Sequence, residues 1–402
     1  MRGVLVRLDR IVNDVLVRLF WMERRIDPYV RPAVDLLVRP PVQALVQWVV
    51  RHRLPDDGLA LAAERVLPDE ERITDEIVER MTRFLQHTYP HHEHVERAGN
   101  TKTFGVVRGE LSVRADIPSE LCHGLFAEPA EYPAWVRFAG PGPLAPSDMH
   151  DNAIMSLGVK VMGVPGPKLL PDEGATQDFL GISAPTFTTP DLVQNAILQS
   201  EIGNGTPLLY FIRPSHTHLC DLIMQGLYAK TAASPLQVSY WSCVPCLLGP
   251  GQAMQYRFVP RPFPQLKVPR RPGPSYLREA MAATLAHGEV TFDLLVQTQT
   301  DPRRMPIENA GVVWSTRHSK PRSVATLRLP QQTFDSPAQL AFADVLSYNP
   351  WHAMPDHRPL GNQSRARRVI YAELAAARQQ MNGVQHVEPT GKEEFADDQV
   401  DV

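Results

Sequence analysis

Apolar residues near the start of the chain recur at helical spacing: Val4, Leu5, Leu8, Ile11, Val12, Val15, Leu16, Leu19 and Phe20, with Arg7, Arg10, Asp14 and Arg18 on the other side. This predicts an amphipathic helix. A second apolar stretch, Val34 to Val50, carries Pro40 and Pro41, which predict a split into two short helices. Ten arginines stand in residues 1–53 against five acids. The arm reads either as helices packed on the core or on a second subunit, or as helices lying in a membrane interface with basic residues toward anionic head groups.

A polar, proline-marked stretch from Arg53 to Glu70 reads as a linker, followed by helical periodicity over Ile73 to His87. The pattern then changes to alternation. Strands are expected at Thr103 to Val113, Ala134 to Phe138, Leu157 to Met162, Val238 to Trp241, Gln255 to Val259 and Glu289 to Gln297. Gly- and Pro-rich joints separate them. An Ala/Arg-rich helix from Ser364 to Met381, with Ser364 as its N-cap, precedes an acidic end read as a solvated tail. The expected organisation is an arm and linker over residues 1–70, a main domain over 71–382 and a disordered tail over 383–402.

Composition narrows the class. The 402 residues carry a formal net charge of −3, 43% hydrophobic and 21% charged residues, a balance that suits a globular core and argues against a nucleic-acid binder. Four cysteines are too few for a disulfide framework, so a reducing, cytoplasmic setting is the simpler expectation, with peripheral membrane contact through residues 1–53 left open. Charges interrupt every candidate secretory h-region, and no run of about 18 apolar residues occurs.

The sequence lacks a nucleophile elbow, a Walker loop and a dinucleotide fingerprint, which removes most support for hydrolase and nucleotide-binding readings. Cys243-Val-Pro-Cys246 stands without a second pair or zinc-spaced histidine, and reads as structural. His91, His92 and His94 with Glu93 leave a non-haem metal site as a weaker alternative.

Four separated segments agree on something more specific. Glu96-Arg97-Ala-Gly-Asn100-Thr-Lys102 precedes the first strand, and Trp135-Val-Arg137-Phe138 forms a later one. Gln177-Asp-Phe-Leu-Gly181-Ile182-Ser-Ala-Pro185 follows, then Ser347-Tyr348-Asn-Pro-Trp-His352-Ala-Met-Pro-Asp-His-Arg358-Pro-Leu-Gly361. In order and spacing these resemble the catalase superfamily of haem proteins, over roughly residues 73 to 380. There the segments read E-R-x-x-H-x-K, V-R-F, D-L-V-G-N-N-T-P and Y-x-D-x-x-x-x-R-L-G. The run ending in Cys243-Val-Pro-Cys246 also looks like a strand of catalase-like relatives.

The resemblance implies an α+β fold: an antiparallel β-barrel with surrounding α-helices, to which this chain adds its amphipathic arm. It implies haem b as cofactor, held at its propionates by Arg97, Arg137 and Arg358, since carboxylates in a low-dielectric site suit guanidinium forks. Tyr348 becomes the implied axial ligand to iron, with His352 as the alternative and an iron-free pocket as a third possibility. Tyr348 stands ten residues before Arg358 where the family has seven, and Asp344 occupies the place of the arginine that keeps the tyrosinate charged.

On the distal side Asn100 stands where catalases have the essential histidine, and Ile182 where they have an asparagine. An amide hydrogen-bonds but does not relay a proton, and losing a general acid/base costs about 10²- to 10⁴-fold. The expected function is therefore that of a haem-dependent oxidoreductase with weak peroxidase activity, acting on organic or lipid hydroperoxides and not as a fast dismutase of hydrogen peroxide. The competing expectation is a haem-free scaffold serving as a membrane-associated or lipid-binding module. Catalase relatives are commonly oligomeric, so a homo-oligomer is also expected.

Overall fold

The computed structural model describes residues 2–56, 58–89 and 94–395, with side chains from Arg7. The strands are β1 (Thr103–Val113), β2 (Glu131–Ala139), β3 (Ser156–Met162), β4 (Thr176–Ile182), β5 (Tyr240–Trp241), β6 (Cys246–Leu247), β7 (Ala253–Pro260), β8 (Val290–Thr298) and β9 (Arg322–Leu329). All pair antiparallel in the order β5-β4-β3-β2-β1-β9-β8-β7-β6, and a β5–β7 pairing closes eight of them into a barrel. The interior is filled by residues such as Val107, Val136, Phe138, Val159, Phe179, Phe258, Phe292 and Leu327. Alternation sends their neighbours Val106 and Trp135 outward, into a second cluster with Leu346 and Tyr348. The expected barrel is thus present, and so is the helical arm.

Helices surround the barrel: α1 (Arg2–Ala33), α2 (Arg39–Arg53), α3 (Glu70–Thr88), α4 (Leu192–Gly203), α5 (Leu209–Ile212), α6 (Leu219–Tyr228), α7 (Tyr276–His287), α8 (Pro337–Val345) and α9 (Asn362–Asn382). Helices α3, α4 and α9 pack through Ile77, Leu192, Ala196, Ala366 and Ile370. No helix among the described residues is long and apolar enough to cross a membrane.

The arm departs from expectation in two ways. Pro40 and Pro41 do not divide it: they occupy the first turn of α2, where a missing N–H is harmless, and a π-helical turn over Val34–Val38 joins α1 to α2 without a break. Second, its polar side faces inward. Asn13 accepts from the Leu208 N–H at 3.1 Å, Arg24 and Arg31 donate to the Ala229 carbonyl at 2.6 and 2.7 Å, and Asp27 accepts from the Thr231 N–H at 2.6 Å. Pro28 leaves the Arg24 carbonyl without an intrahelical donor, and the Thr231 hydroxyl supplies one at 2.8 Å.

The chain ends also differ from the sequence reading. The linker is stapled down, because Arg365 pairs with Glu64 and Glu70 at 2.6 Å and with Glu308 at 3.1 Å. The residue capping α9 is Gly361, at φ +88°, and not Ser364. A Cβ at Gly361 would lie 2.6 Å from the Ile307 carbonyl oxygen, so both conformation and crowding require glycine. The tail, expected to be solvated from residue 383, is docked as far as Phe395. Glu393 accepts from the Trp135 indole N–H at 2.7 Å, and Phe395 packs edge-on against the same ring. Residues 396–402 of that predicted tail lie outside the described residues.

Candidate functional site

The barrel's outer surface over β2, β3 and β4, together with α1, α3, α4 and α9, encloses a cavity of about 820 Å³. Cross-strand register determines its floor. Arg137 lies opposite Gly158, and Gly158 opposite Leu180, so these three form one outward row; Ser156 and Ile182 form the next. Gly158 leaves room for Tyr348, since a Cβ there would come within 3.0 Å of the Tyr348 ring. Phe20 and Trp21 of α1 and Ile370, Tyr371 and Leu374 of α9 supply apolar walls.

Of the residues singled out in the sequence, Arg97, Asn100, Arg137, Ile182 and Tyr348 all line this cavity. Arg358 and His352 do not. Arg358 forms an ion pair with Glu64 of the linker at 2.7 Å. Arg358 is thus engaged by a carboxylate away from the cavity wall, and the expected set of three propionate arginines is not brought together around the cavity.

His352 is only 1% exposed and lies in a buried charge cluster. Its Nδ1 is 3.0 Å from Asp178 and its Nε2 3.0 Å from Asp172, while Lys160 bonds Glu173 and, at 2.9 Å, Asp178. Burial opposes the charged imidazole, but the two aspartates outweigh it and push His352 up to about 9. With both nitrogens engaged, His352 is no alternative ligand to iron. Glu173, Asp178 and His352 have the spacing of a metal site, but the Lys160 ammonium already occupies the cation position.

Sequence reasoning missed Arg378 and Arg367, which reach the cavity from α9. The signal was present: Arg367, Ile370, Tyr371, Leu374 and Arg378 follow the 3-4 helical spacing of one face. Arg378 donates to the Asp344 carbonyl at 2.6 Å, Arg97 to the Ala343 and Leu346 carbonyls at 2.7 Å, and Arg137 to the Asn100 carbonyl at 2.7 Å. Among the described residues none of these three has a carboxylate within ion-pair distance.

Burial lowers all three guanidiniums, and the Arg97 charge adds to it at the other two: Arg137 is depressed further, and Arg378 is drawn down to about 9. A guanidinium keeps its proton under ordinary conditions, so three positive charges stand in the cavity wall. Asn100, at φ +48°, stands in the left-handed region that asparagine tolerates, with its carbonyl fixed by Arg137. Among the described residues, the histidine that borders the cavity is His150, stacked on Trp21 at 4.1 Å. His91, His92 and Glu93 of the predicted metal group lie outside the described residues; His94 is 3.4 Å from Asp344.

A haem would bring an apolar macrocycle, two carboxylates and an iron that needs an axial donor. The walls and the arginines suit the first two. For the iron, the cavity offers the Tyr348 phenol: burial raises it above its ordinary range, Asp178 adds to the effect, and Arg137 and Arg97 partly oppose it. Its hydroxyl donates to the Trp135 carbonyl at 3.4 Å. Cys243 and Cys246 are free and buried, and burial pushes Cys246 up to about 12, as expected of structural thiols.

No family model and no curated protein matches the chain. Solved structures do. A fungal catalase aligns with TM-score 0.57 at 14% identity, over 86% of this chain and 74% of its own. Catalase A from Saccharomyces cerevisiae aligns with TM-score 0.58 at 13% identity, over 87% and 74%. A bacterial catalase gives TM-score 0.53 at 16% identity, over 86% and 70%. At such identities the likeness extends to architecture alone, and on that ground this chain has the catalase fold.

Proposed function

We propose that the protein binds a large apolar molecule bearing one or more carboxylates, inserted with its acid groups toward Arg97, Arg137 and Arg378. The observation that carries this reading is the convergence of two buried guanidiniums, Arg137 and Arg378, and the half-buried Arg97, without carboxylate partners among the described residues, on an otherwise largely apolar cavity. The same three side chains sit low against their usual values because burial disfavours their charge, with repulsion from Arg97 adding to it at Arg137 and Arg378, and a carboxylate would offset that penalty.

Haem and long-chain fatty acids or their hydroperoxides share this chemistry. Bound haem would supply peroxide-dependent oxidation. Around it, this chain's residues would hold carboxylates through the arginines, exclude water through Ile182, Phe20 and Trp21, and offer Asn100 in place of a proton-relaying base. That arrangement favours organic hydroperoxides over hydrogen peroxide. Asp344, standing four residues before Tyr348 where an arginine would stabilise a tyrosinate, favours the second reading, a haem-free lipid-binding scaffold.

Titration of the purified chain with haem, read at the Soret band, and with a fluorescent fatty acid separates the two. Either ligand should bind and lose about 10- to 100-fold in affinity in Arg378→Met, the size of a charge-assisted contact. A Soret band that shifts in Tyr348→Phe supports haem ligation. Binding of neither ligand overturns the proposal.

A further inference from the structure

The side of α1 turned away from the body carries Leu8, Val12, Val15, Leu19, Met22 and Ile26, and the same alternating step of four and three continues through Tyr29, Ala33 and Leu36. These residues face solvent: Leu19 is 54% exposed, Met22 62% and Tyr29 79%. A helix packed on a core normally turns its apolar stripe inward. Here Asn13, Arg24, Asp27 and Arg31 hold the inward side by hydrogen bonds, which fixes the apolar stripe outward.

We infer that this stripe is the seam of a parallel two-stranded coiled coil formed with a second copy of the chain. A 3.5-residue repeat from Leu8 to Ala33, nearly four heptads within α1, is the pattern that knobs-into-holes packing needs. Both prolines, Pro28 and Pro32, lie off the seam. The flanks carry Arg18 and Arg25 on one side and Asp9 and Glu23 on the other. In a parallel, in-register pair Arg18 of one copy faces Glu23 of the other, five positions on, and the symmetry makes this contact twice. An antiparallel pair would bring arginine flanks together instead. The body lies on the opposite side of α1, so two copies meet back to back along a helix roughly 48 Å long. Ile11 and Val30 widen the stripe on its two flanks, and it is the charge complementarity of Arg18 with Glu23 across the seam that favours this occupant over a membrane surface, for which a uniformly basic border would be expected.

The test uses the full chain in sedimentation analysis across micromolar concentrations. The wild type should be dimeric, and Leu19→Glu/Ile26→Glu should weaken association by about 100-fold or more while leaving thermal unfolding of the monomer intact. Val15→Cys should form an intermolecular disulfide under mild oxidation, because identical core positions face one another only in a parallel pair; wild type is the control for the native cysteines. A monomeric wild type overturns the proposal. So does a dimer indifferent to Leu19→Glu/Ile26→Glu, or wild-type monomer that floats with vesicles of phosphatidylcholine and phosphatidylglycerol. Failure of Val15→Cys to cross-link within a dimer overturns the parallel arrangement. None of these outcomes depends on what occupies the cavity.

Discussion

Single residues in the cavity are under opposing demands. Arg378 is 2% exposed and stands among other guanidiniums. Replacing it by Met removes a buried like charge while keeping much of its volume, so Arg378→Met is expected to match or exceed the wild type in thermal stability even as ligand affinity falls. Paired melts and titrations check this, and a large loss of stability would contradict the site's electrostatic reading. Asn100 tells a related story about backbone. A β-branched residue in its left-handed conformation should cost about 1–2 kcal/mol, so Asn100→Val is expected to lower the denaturation midpoint while Asn100→Gly does not.

At the scale of elements, the clean alternation of β1, β2, β3, β7 and β8 made these strands legible, since one face of each fills the barrel. Strand β4 was not, because Gln177 and Asp178 are buried polar residues. Asp178 is satisfied by Lys160, which lies 18 residues earlier, and by His352, 174 residues later. Helix α4 was also missed: Leu192 and Ala196 pack with α3 and α9 while Leu198 and Ile202 line the cavity, so apolar residues occur on two sides and no single face stands out. Arg97, Arg137 and Tyr348 were legible through linear spacing, whereas Arg378 depends on which way α9 faces. The tail is a further case, since its anchors act only once the barrel presents Trp135. Deleting residues 384–402 should cost at least roughly 2–4 kcal/mol, from the bonds of Glu388 to the Ala175 N–H, of Glu393 to the Trp135 indole and of the Arg108 guanidinium to the Glu393 carbonyl, and from one partly buried ring, and should change Trp135 fluorescence.

Across the whole molecule, two buried histidines of opposite preference shape the dependence of stability on pH. His352 is raised to about 9, so its contribution is complete below the unfolded value near 6.5 and is lost as pH rises through 9. His357 is lowered to about 4 by burial; its Nε2 accepts from the Leu125 N–H at 3.0 Å. Its contribution is complete above about 6.5 and is lost as pH falls through 4. The joint contribution of these two histidines is greatest near pH 6.5 and falls by up to roughly 3 kcal/mol on each flank, on top of the loss that the raised carboxyls of Asp151 (about 6) and Asp221 (about 7) bring as pH rises from about 4. His352→Gln should flatten the alkaline flank and leave the acid one; chemical denaturation across pH reads both.

The cavity walls come from residues as far apart as Phe20 and Arg378, drawn from the arm, the barrel and the last helix. The site therefore exists only in the fully assembled chain, and no isolated segment can compete for its occupant. A molecule that occupies it binds the native state alone and raises the unfolding free energy by about 2.7 kcal/mol at a hundredfold excess over its dissociation constant. Melting temperature thus becomes an assay for the natural ligand: a library of apolar acids can be ranked by thermal shift, without any prior assumption about the chemistry that follows binding.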